Sequence, residues 1–168
     1  MYQVGELVLY GSTGVCRVEE LREQDFPSTG EKRLYYILRP LYEDCVISAP
    51  VGSDKVFIRP IISRDEAERL IREMPKVEVT VYQSRVPKEL TEQYETVLKN
   101  YDCGALVGLT KSIYAKKISL QEQKRKFGTV DERFLKRAEN LLFGELAAAL
   151  EIPKEQVQEY IESKLAAG

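Results

Sequence analysis

The spacing of apolar residues changes character near residue 62. Before that point, short runs rich in Val, Ile, Leu and Tyr are separated by turn-forming segments such as Gly11-Ser12-Thr13-Gly14. β-Branched and aromatic residues favour strands, whereas Gly, Pro and Ser favour turns. The runs predict five short strands at residues 4–10, 14–21, 34–38, 45–49 and 56–58. Strands this short and closely spaced are typical of a small twisted barrel of the SH3 or Tudor kind.

From Ser63 onward the apolar residues follow a helical period. Ser63-Arg64-Asp65-Glu66 fits a capping box, and Pro75 should end the helix that it opens. Ala67, Leu70, Ile71 and Met74 fall on one face of that helix. Residues 76–85 are rich in β-branched residues and are predicted to form an extended connection between domains.

The remainder of the chain predicts about five helices with short connections. They are expected to start at Pro87 (ending near Asn100), at Asp102 (ending near residue 118), at Ser119 (fading by Gly128), at Thr129 (ending near Leu150) and at Pro153. The predicted fold class is therefore α+β, with a small N-terminal β-barrel followed by an all-α bundle. Its predicted domains are residues 1–62, a helix and extended linker at 63–86, and a helical domain at 87–168.

The composition argues against most catalytic chemistries. Histidine is absent, which removes the usual general base near neutral pH and the commonest metal ligand. Cys16, Cys45 and Cys103 are widely spaced and are expected to be buried, unreactive thiols. No phosphate-binding, dinucleotide-binding or zinc-protease motif occurs. We expect a cytoplasmic protein that is not an enzyme and has no cofactor, metal, membrane span or small-molecule substrate. A cysteine-dependent enzyme is the alternative, and it would need an exposed thiol of lowered pKa.

Positive charge is concentrated in one segment. The chain has a net charge of -2, yet residues 111–137 contain nine basic and three acidic residues. Such a cluster can neutralise DNA phosphates and release their counterions. The alternative is an ordinary solvated helix face. Because no motif for base recognition occurs, any contact is expected to involve the DNA backbone.

Several motifs resemble the CarD family. Residues 2–10, followed by Gly14, are similar to the start of the RNA-polymerase-interacting module that CarD proteins share with the transcription-repair coupling factor. Residues 34–38 and 46–51 resemble its next two strands. In the second half, Gly144-Glu145-Leu146-Ala147 resembles a segment of the CarD helical domain.

This resemblance implies a partner and a set of contact residues. The β module of the family pairs edge to edge with the RNA polymerase β subunit, and the helical domain lies against upstream promoter DNA and affects the open complex. The residues that the resemblance places at the polymerase are Arg22, Gln24, Val46, Ile47 and Ser48. Gln24 and Ser48 stand where better-known members have arginines, so polar contacts are expected to differ while main-chain pairing survives.

The resemblance also implies a DNA contact in the helical domain. Family members often insert a tryptophan into the minor groove, and this chain has no tryptophan. Counting back from Tyr94, which matches a family tyrosine, places Leu90 at the wedge position, although Leu90 could equally be ordinary helix surface or core. The expected DNA-contacting residues are Arg85, Lys88, Leu90, Lys116, Lys117, Lys124, Arg125, Lys126, Arg133, Lys136 and Arg137. A protein-interaction adaptor that uses only the β domain remains the alternative function.

Overall fold

The computed structural model describes residues 1–99 and 101–167 and divides the chain into two compact units. Unit 1 is Met1–Ile62 and unit 2 is Ser63–Gly168. The residues that we expected to link two domains, 63–86, lie within unit 2.

Unit 1 is built on one antiparallel sheet of five strands, which confirms the predicted β domain. The strands are β1 (Leu7–Tyr10), β2 (Gly14–Asp25), β3 (Lys32–Pro40), β4 (Ile47–Pro50) and β5 (Ile58–Pro60). Their order across the sheet is β4-β3-β2-β1-β5, so β4 and β5 are the two edge strands. β2 and β3 extend well beyond the predicted limits and form a long hairpin.

One hydrophobic core cluster of unit 1 lies on one face of the sheet and contains Val8, Cys16, Val18, Tyr36, Leu38 and Ala49. Apolar residues of the other face, namely Leu9, Val15, Tyr35 and Ile37, are buried as well. A bulge in β2 between Val18 and Glu20 inserts one residue opposite β3. After it, Leu21 pairs with Tyr36, so Leu21 stays on the core face and Arg22 turns to the opposite face.

The described residues of unit 2 form five α-helices. They are α1 (Arg64–Glu73), α2 (Pro87–Leu98), α3 (Cys103–Glu122), α4 (Thr129–Leu150) and α5 (Val157–Ala167). The predicted caps at Ser63 and Asp102 are confirmed, because their side chains accept the main-chain N–H groups of Glu66 and Ala105. The predicted end of α2 near Asn100 falls outside the described residues, and α2 itself ends at Leu98.

The helix start predicted at Ser119 was wrong. Ser119 lies inside α3, which continues without a break to Glu122, because the apolar side of the helix runs on past Ser119 to the half-buried Leu120. α4 begins at Thr129 as predicted, but its N-cap is Gly128 and no side chain caps it. Asp131 and Glu132 lie in its first turn as predicted, and the buried carboxylate of Asp131 also binds side chains from elsewhere in unit 2.

An extended segment at residues 77–83 runs beside α3. The N–H of Thr80 donates to Ser112 Oγ (2.9 Å), and Lys111 Nζ donates to the carbonyl of Val77 (2.6 Å). Lys111 also donates to the carbonyls of Met74 and Pro75, both at 3.1 Å. Lys111 therefore satisfies the carbonyls that follow α1 and holds the extended segment in place. Among the described residues, no helix is long and apolar enough to cross a membrane.

Candidate functional site

The outer edge of β4 is open to a partner strand. Within the described residues, β4 pairs with β3 on one side and with no strand on the other. The N–H of Val51 donates to the carbonyl of Leu34 (3.0 Å), which fixes the alternation of bonded pairs along the two strands. Counting back by twos, Ala49 and Ile47 direct their main-chain groups toward β3. Ser48 directs its groups away from β3.

The residues of this edge are suited to their positions. Ser48 offers both an N–H and a C=O to the outside, whereas Pro50 offers only a C=O. Pro50 is tolerated because its nitrogen also points away from β3, where no hydrogen bond to that strand is lost. Strand addition at this edge would therefore depend most on the main chain of Ser48.

Three of the five predicted polymerase contacts, Arg22, Gln24 and Ser48, share one face of the sheet. Across the strands, Arg22 pairs with Tyr35, and Tyr35 pairs with Pro50 of β4. Gln24 pairs with Arg33, and Ser48 pairs with Ile37. Val46, which is 54% exposed, lies just before β4. Arg22 is held by Glu20 at 2.7 Å, and this hydrogen bond lowers the pKa of Glu20.

Ile47 is placed differently from the prediction. Its side chain packs against the core cluster of unit 1 and its main chain is directed at β3. Adjacent residues of a strand alternate between faces, so Ile47 cannot share the outward position of Ser48. Ile47 therefore lies on the opposite face of the sheet from Ser48.

The other edge of the sheet is partly covered. In β5, Ile58 directs its carbonyl outward, and this carbonyl accepts a hydrogen bond from the Tyr2 hydroxyl (3.3 Å). The main-chain N–H of Tyr2 in turn donates to the Tyr36 hydroxyl (2.9 Å). Tyr2 thus covers one outward carbonyl of β5, whereas Ser48 of β4 is exposed at the other edge.

In unit 2, the exposed cations cluster where α3 ends. Lys124 adopts a left-handed conformation (φ 56°), and its N–H donates to the carbonyl of Gln121 while the N–H of Arg125 donates to that of Leu120. This is a Schellman motif, which stops the helix and turns the chain sharply. It presents Lys124, Arg125 and Lys126 together in an exposed loop, which we call the basic loop.

A cleft beside the basic loop brings in a further cation. The cleft has a volume of about 570 Å³ and is lined by Arg85, Arg125, Lys126 and Gly128, the N-cap of α4. Among the described residues, the side chains of Arg85, Lys88 and the basic loop form no ion pair or hydrogen bond with another side chain. Unlike the other predicted cations, these five are therefore exposed and unneutralised.

Lys116 has an internal role that the sequence prediction missed. Its ammonium group binds both carboxylate oxygens of Asp131 (3.0 and 3.1 Å) and donates to the carbonyl of Tyr82 (2.8 Å). The hydroxyl of Tyr94 donates to the same carboxylate. Burial, and then the bond to Asp131, raise the pKa of Tyr94, so the hydroxyl keeps its proton. Lys116 is thus paired within unit 2, and the side chains of Lys116 and Asp131 also line the cleft beside the basic loop.

The remaining predicted cations are engaged to different degrees. Arg137 contacts Glu95 (3.2 Å) and the Tyr101 hydroxyl (3.4 Å), and Lys136 contacts Glu132 (3.4 Å). Arg133 and Lys117 lie over the rings of Phe134 and Phe127, respectively. Their charges are partly offset within unit 2.

Leu90 is not presented as a wedge. It is only 6% exposed, like the neighbouring core residues Tyr94 and Leu98 on the same face of α2. An apolar side chain at this helical spacing is drawn into the bundle, where it loses its contact with water. Of the two alternatives for Leu90, core packing is the one observed.

Residues 2–62 match the family model described as the CarD-like/TRCF RID domain. Unit 1 is similar to the domains of this family. The match confirms the resemblance for residues 2–62, and it indicates an interaction with RNA polymerase. The RID family is a protein-interaction module. Comparison with curated proteins finds no match. The resemblance of residues 144–147 to the CarD helical domain lies outside the matched RID domain and stays a prediction.

The three cysteines are expected to react at very different rates. Cys16 and Cys103 are buried as predicted, but Cys45 is exposed, in contrast to the prediction, because it lies in the turn between β3 and β4. Burial raises the pKa of the Cys16 thiol in the RID domain to about 12, so its thiolate is scarce at neutral pH. Labelling of the native protein with a chromogenic disulfide should modify Cys45 quickly and the other two only on unfolding. Fast modification of Cys16 would contradict the placement of that thiol in the core.

Proposed function

We propose that this protein regulates transcription by binding the RNA polymerase β subunit through the edge of β4 and promoter DNA through the basic loop. Binding both partners at once would alter the stability of the promoter open complex. The observation that supports this most strongly is an unpaired edge strand, with Ser48 facing outward, in a domain that matches the RID family. Main-chain pairing along an edge provides affinity without requiring particular side chains.

The composition of the edge explains how binding survives without the arginines of related proteins. Ser48 and Gln24 contribute less charge than arginines would, so the main-chain bonds supply a larger share of the interaction. Arg22 is the remaining cation of the predicted contact set on this face, and its bond to Glu20 holds it in a defined position. We therefore propose that side-chain contacts are secondary here.

The proposed DNA surface is smaller than the one expected from the sequence. We assign it to Arg85, Lys88 and the basic loop, because these cations are exposed and unpaired in the described part of unit 2. Lys117, Arg133 and Lys136 could add to it at longer range. The contacts are to phosphates and are independent of base sequence. The assignment excludes Lys116, Arg137 and Leu90.

The test is binding of the full chain to RNA polymerase holoenzyme, with and without a promoter fragment, across a salt series. If about four phosphates are neutralised, the part of the affinity that depends on DNA should fall with a log–log slope of roughly -3.6. Binding that is indifferent to DNA would support the alternative function, an adaptor that uses the RID domain alone. No binding to polymerase under any condition would overturn both functions.

The basic loop is expected to account for most of this slope. Replacing Arg125 and Lys126 by alanine should reduce the slope by about 1.8, since each lost phosphate contact removes about 0.9. Binding to polymerase without DNA should be unchanged. The matched control is Lys164→Ala, which removes an exposed cation from α5 far along the chain from the loop. A reduction of about 0.9 with Lys164→Ala, half of the effect of the double variant, would show that the response reflects net charge and not a localised surface.

A further inference from the structure

A cleft lined by tyrosines lies on the core face of unit 1, beside the open edge of β4. It has a volume of about 520 Å³, and its walls include Tyr2, Tyr10, Tyr36, Ala49 and Ile58. Ala49 belongs to the edge strand β4, and Ile58 belongs to the edge strand β5. The cleft therefore lies where the two edges of the curled sheet approach each other, and we call it the tyrosine cleft.

The polar groups of the tyrosine cleft are largely satisfied within the domain. The Tyr36 hydroxyl accepts the N–H of Tyr2, and the Tyr2 hydroxyl donates to the carbonyl of Ile58. The rings of Tyr2 and Tyr36 lie 5.7 Å apart with their planes tilted by 52°. With two of its three hydroxyl groups engaged, the cleft presents mainly ring faces and aliphatic side chains. An apolar occupant would therefore bury mainly ring and aliphatic surface there.

The position of the cleft relates it to a strand added at β4. Side chains of an added strand alternate between the two faces of the sheet, as those of β4 itself do. Ala49 and Val51 point to the core face and line the cleft, whereas Ser48 points to the opposite face. Every second side chain of the added strand would therefore point to the same face as the cleft.

We propose that the tyrosine cleft receives one large apolar side chain from the RNA polymerase strand that pairs with β4. The main chain of Ser48 would hold that strand, and the cleft would select its sequence and register, because a one-residue slip would move the apolar side chain to the other face. This inference rests on the proposed pairing at β4. It assigns the occupant of the cleft to polymerase, and not to a second copy of this chain.

The experiment uses the full chain and purified RNA polymerase core enzyme. Val51→Glu places a charge in the cleft while leaving the main-chain bond from residue 51 to Leu34 available. We expect it to weaken polymerase binding at least tenfold. The matched control is Val4→Glu, which makes the same change at an exposed valine outside the cleft and should leave binding within twofold. Thermal melting establishes that both variants are folded.

A second measurement, photo-cross-linking, tests the same contact without placing a charge in the cleft. A photoreactive benzoylphenylalanine at position 51 should cross-link to a polymerase strand next to an apolar residue. The same group at Thr29, in the turn that joins β2 to β3, should give no such product. Cross-linking of position 51 to a second copy of this chain, or no cross-link while polymerase is bound, would overturn the proposal.

The two inferences fail in different ways. Normal binding by folded Val51→Glu together with lost binding by Ser48→Pro would overturn the role of the cleft and leave strand pairing at β4 intact. Normal binding by both variants would overturn both.

Discussion

Replacing Asp131 by alanine should lower the free energy of unfolding of unit 2 by about 3–5 kcal/mol, the range observed when one partner of a buried ion pair is removed. The side chain of Asp131 is only 5% exposed, and the side chain of its partner Lys116 is 18% exposed. Without Asp131, the Lys116 charge and the Tyr94 hydroxyl both lose a partner in a site with little water. Urea denaturation monitored by the helical circular dichroism signal measures the change.

Two further variants distinguish the loss of the buried ion pair from the loss of an acidic side chain in the first turn of α4. Glu132→Ala removes the neighbouring acid, whose bond to Lys136 is exposed, and should change the free energy of unfolding by less than about 1 kcal/mol. Adding Lys116→Met to Asp131→Ala should recover part of the lost stability, because no unpaired charge remains. If Asp131→Ala behaves like Glu132→Ala, the buried network does not stabilise unit 2.

Replacing Ser48 by proline should weaken binding to RNA polymerase at least tenfold, which corresponds to about 1.4 kcal/mol and to the loss of one or two net hydrogen bonds. The Ser48 N–H points away from β3, so proline removes a donor to the partner strand without breaking a bond within the sheet. Its ring also occupies the space into which a partner strand would pack. Titration of fluorescently labelled protein with core polymerase measures the affinity.

Ser48→Ala is the matched control for this prediction. It removes the hydroxyl and keeps the main-chain N–H, so binding should stay within about threefold if the main chain supplies most of the affinity. A loss with alanine equal to the loss with proline would show that the hydroxyl is the group recognised. A folded Ser48→Pro variant with unchanged affinity would exclude pairing at this edge.

The sequence was informative about the N-terminal domain because its signals are local. Turn-forming residues separate the strands, and the spacing of apolar side chains defines the face that is buried. These features correctly predicted five strands in unit 1, but not the full length of the β2–β3 hairpin. The hairpin extends through polar residues such as Glu23 and Lys32, which pair through their main chains and leave no apolar pattern to detect.

The sequence was less informative about individual contacts. Ile47 and Ser48 are neighbours in the chain and were predicted to act together, yet the alternation of a strand sends them to opposite faces. In unit 2, Lys116 and Lys124 both belong to the basic segment. The first lies on α3 against Asp131, and the second lies beyond the Schellman motif in solvent.

The amino-acid sequence by itself determined that the first part of the protein forms strands and the second part helices, because apolar residues recur with a period of two in strands and near 3.6 in helices. It also determined where α1, α2 and α3 begin, from Ser63, Pro87 and Asp102. Only the tertiary structure decided which charges face solvent, which strand edge stays unpaired, and that Leu90 is buried. The sequence patterns that predict helices, strands and caps involve residues only a few positions apart. The partner that neutralises Lys116 is 15 residues away, and the bond from Tyr2 to Ile58 spans 56 residues, so only the folded chain could reveal them.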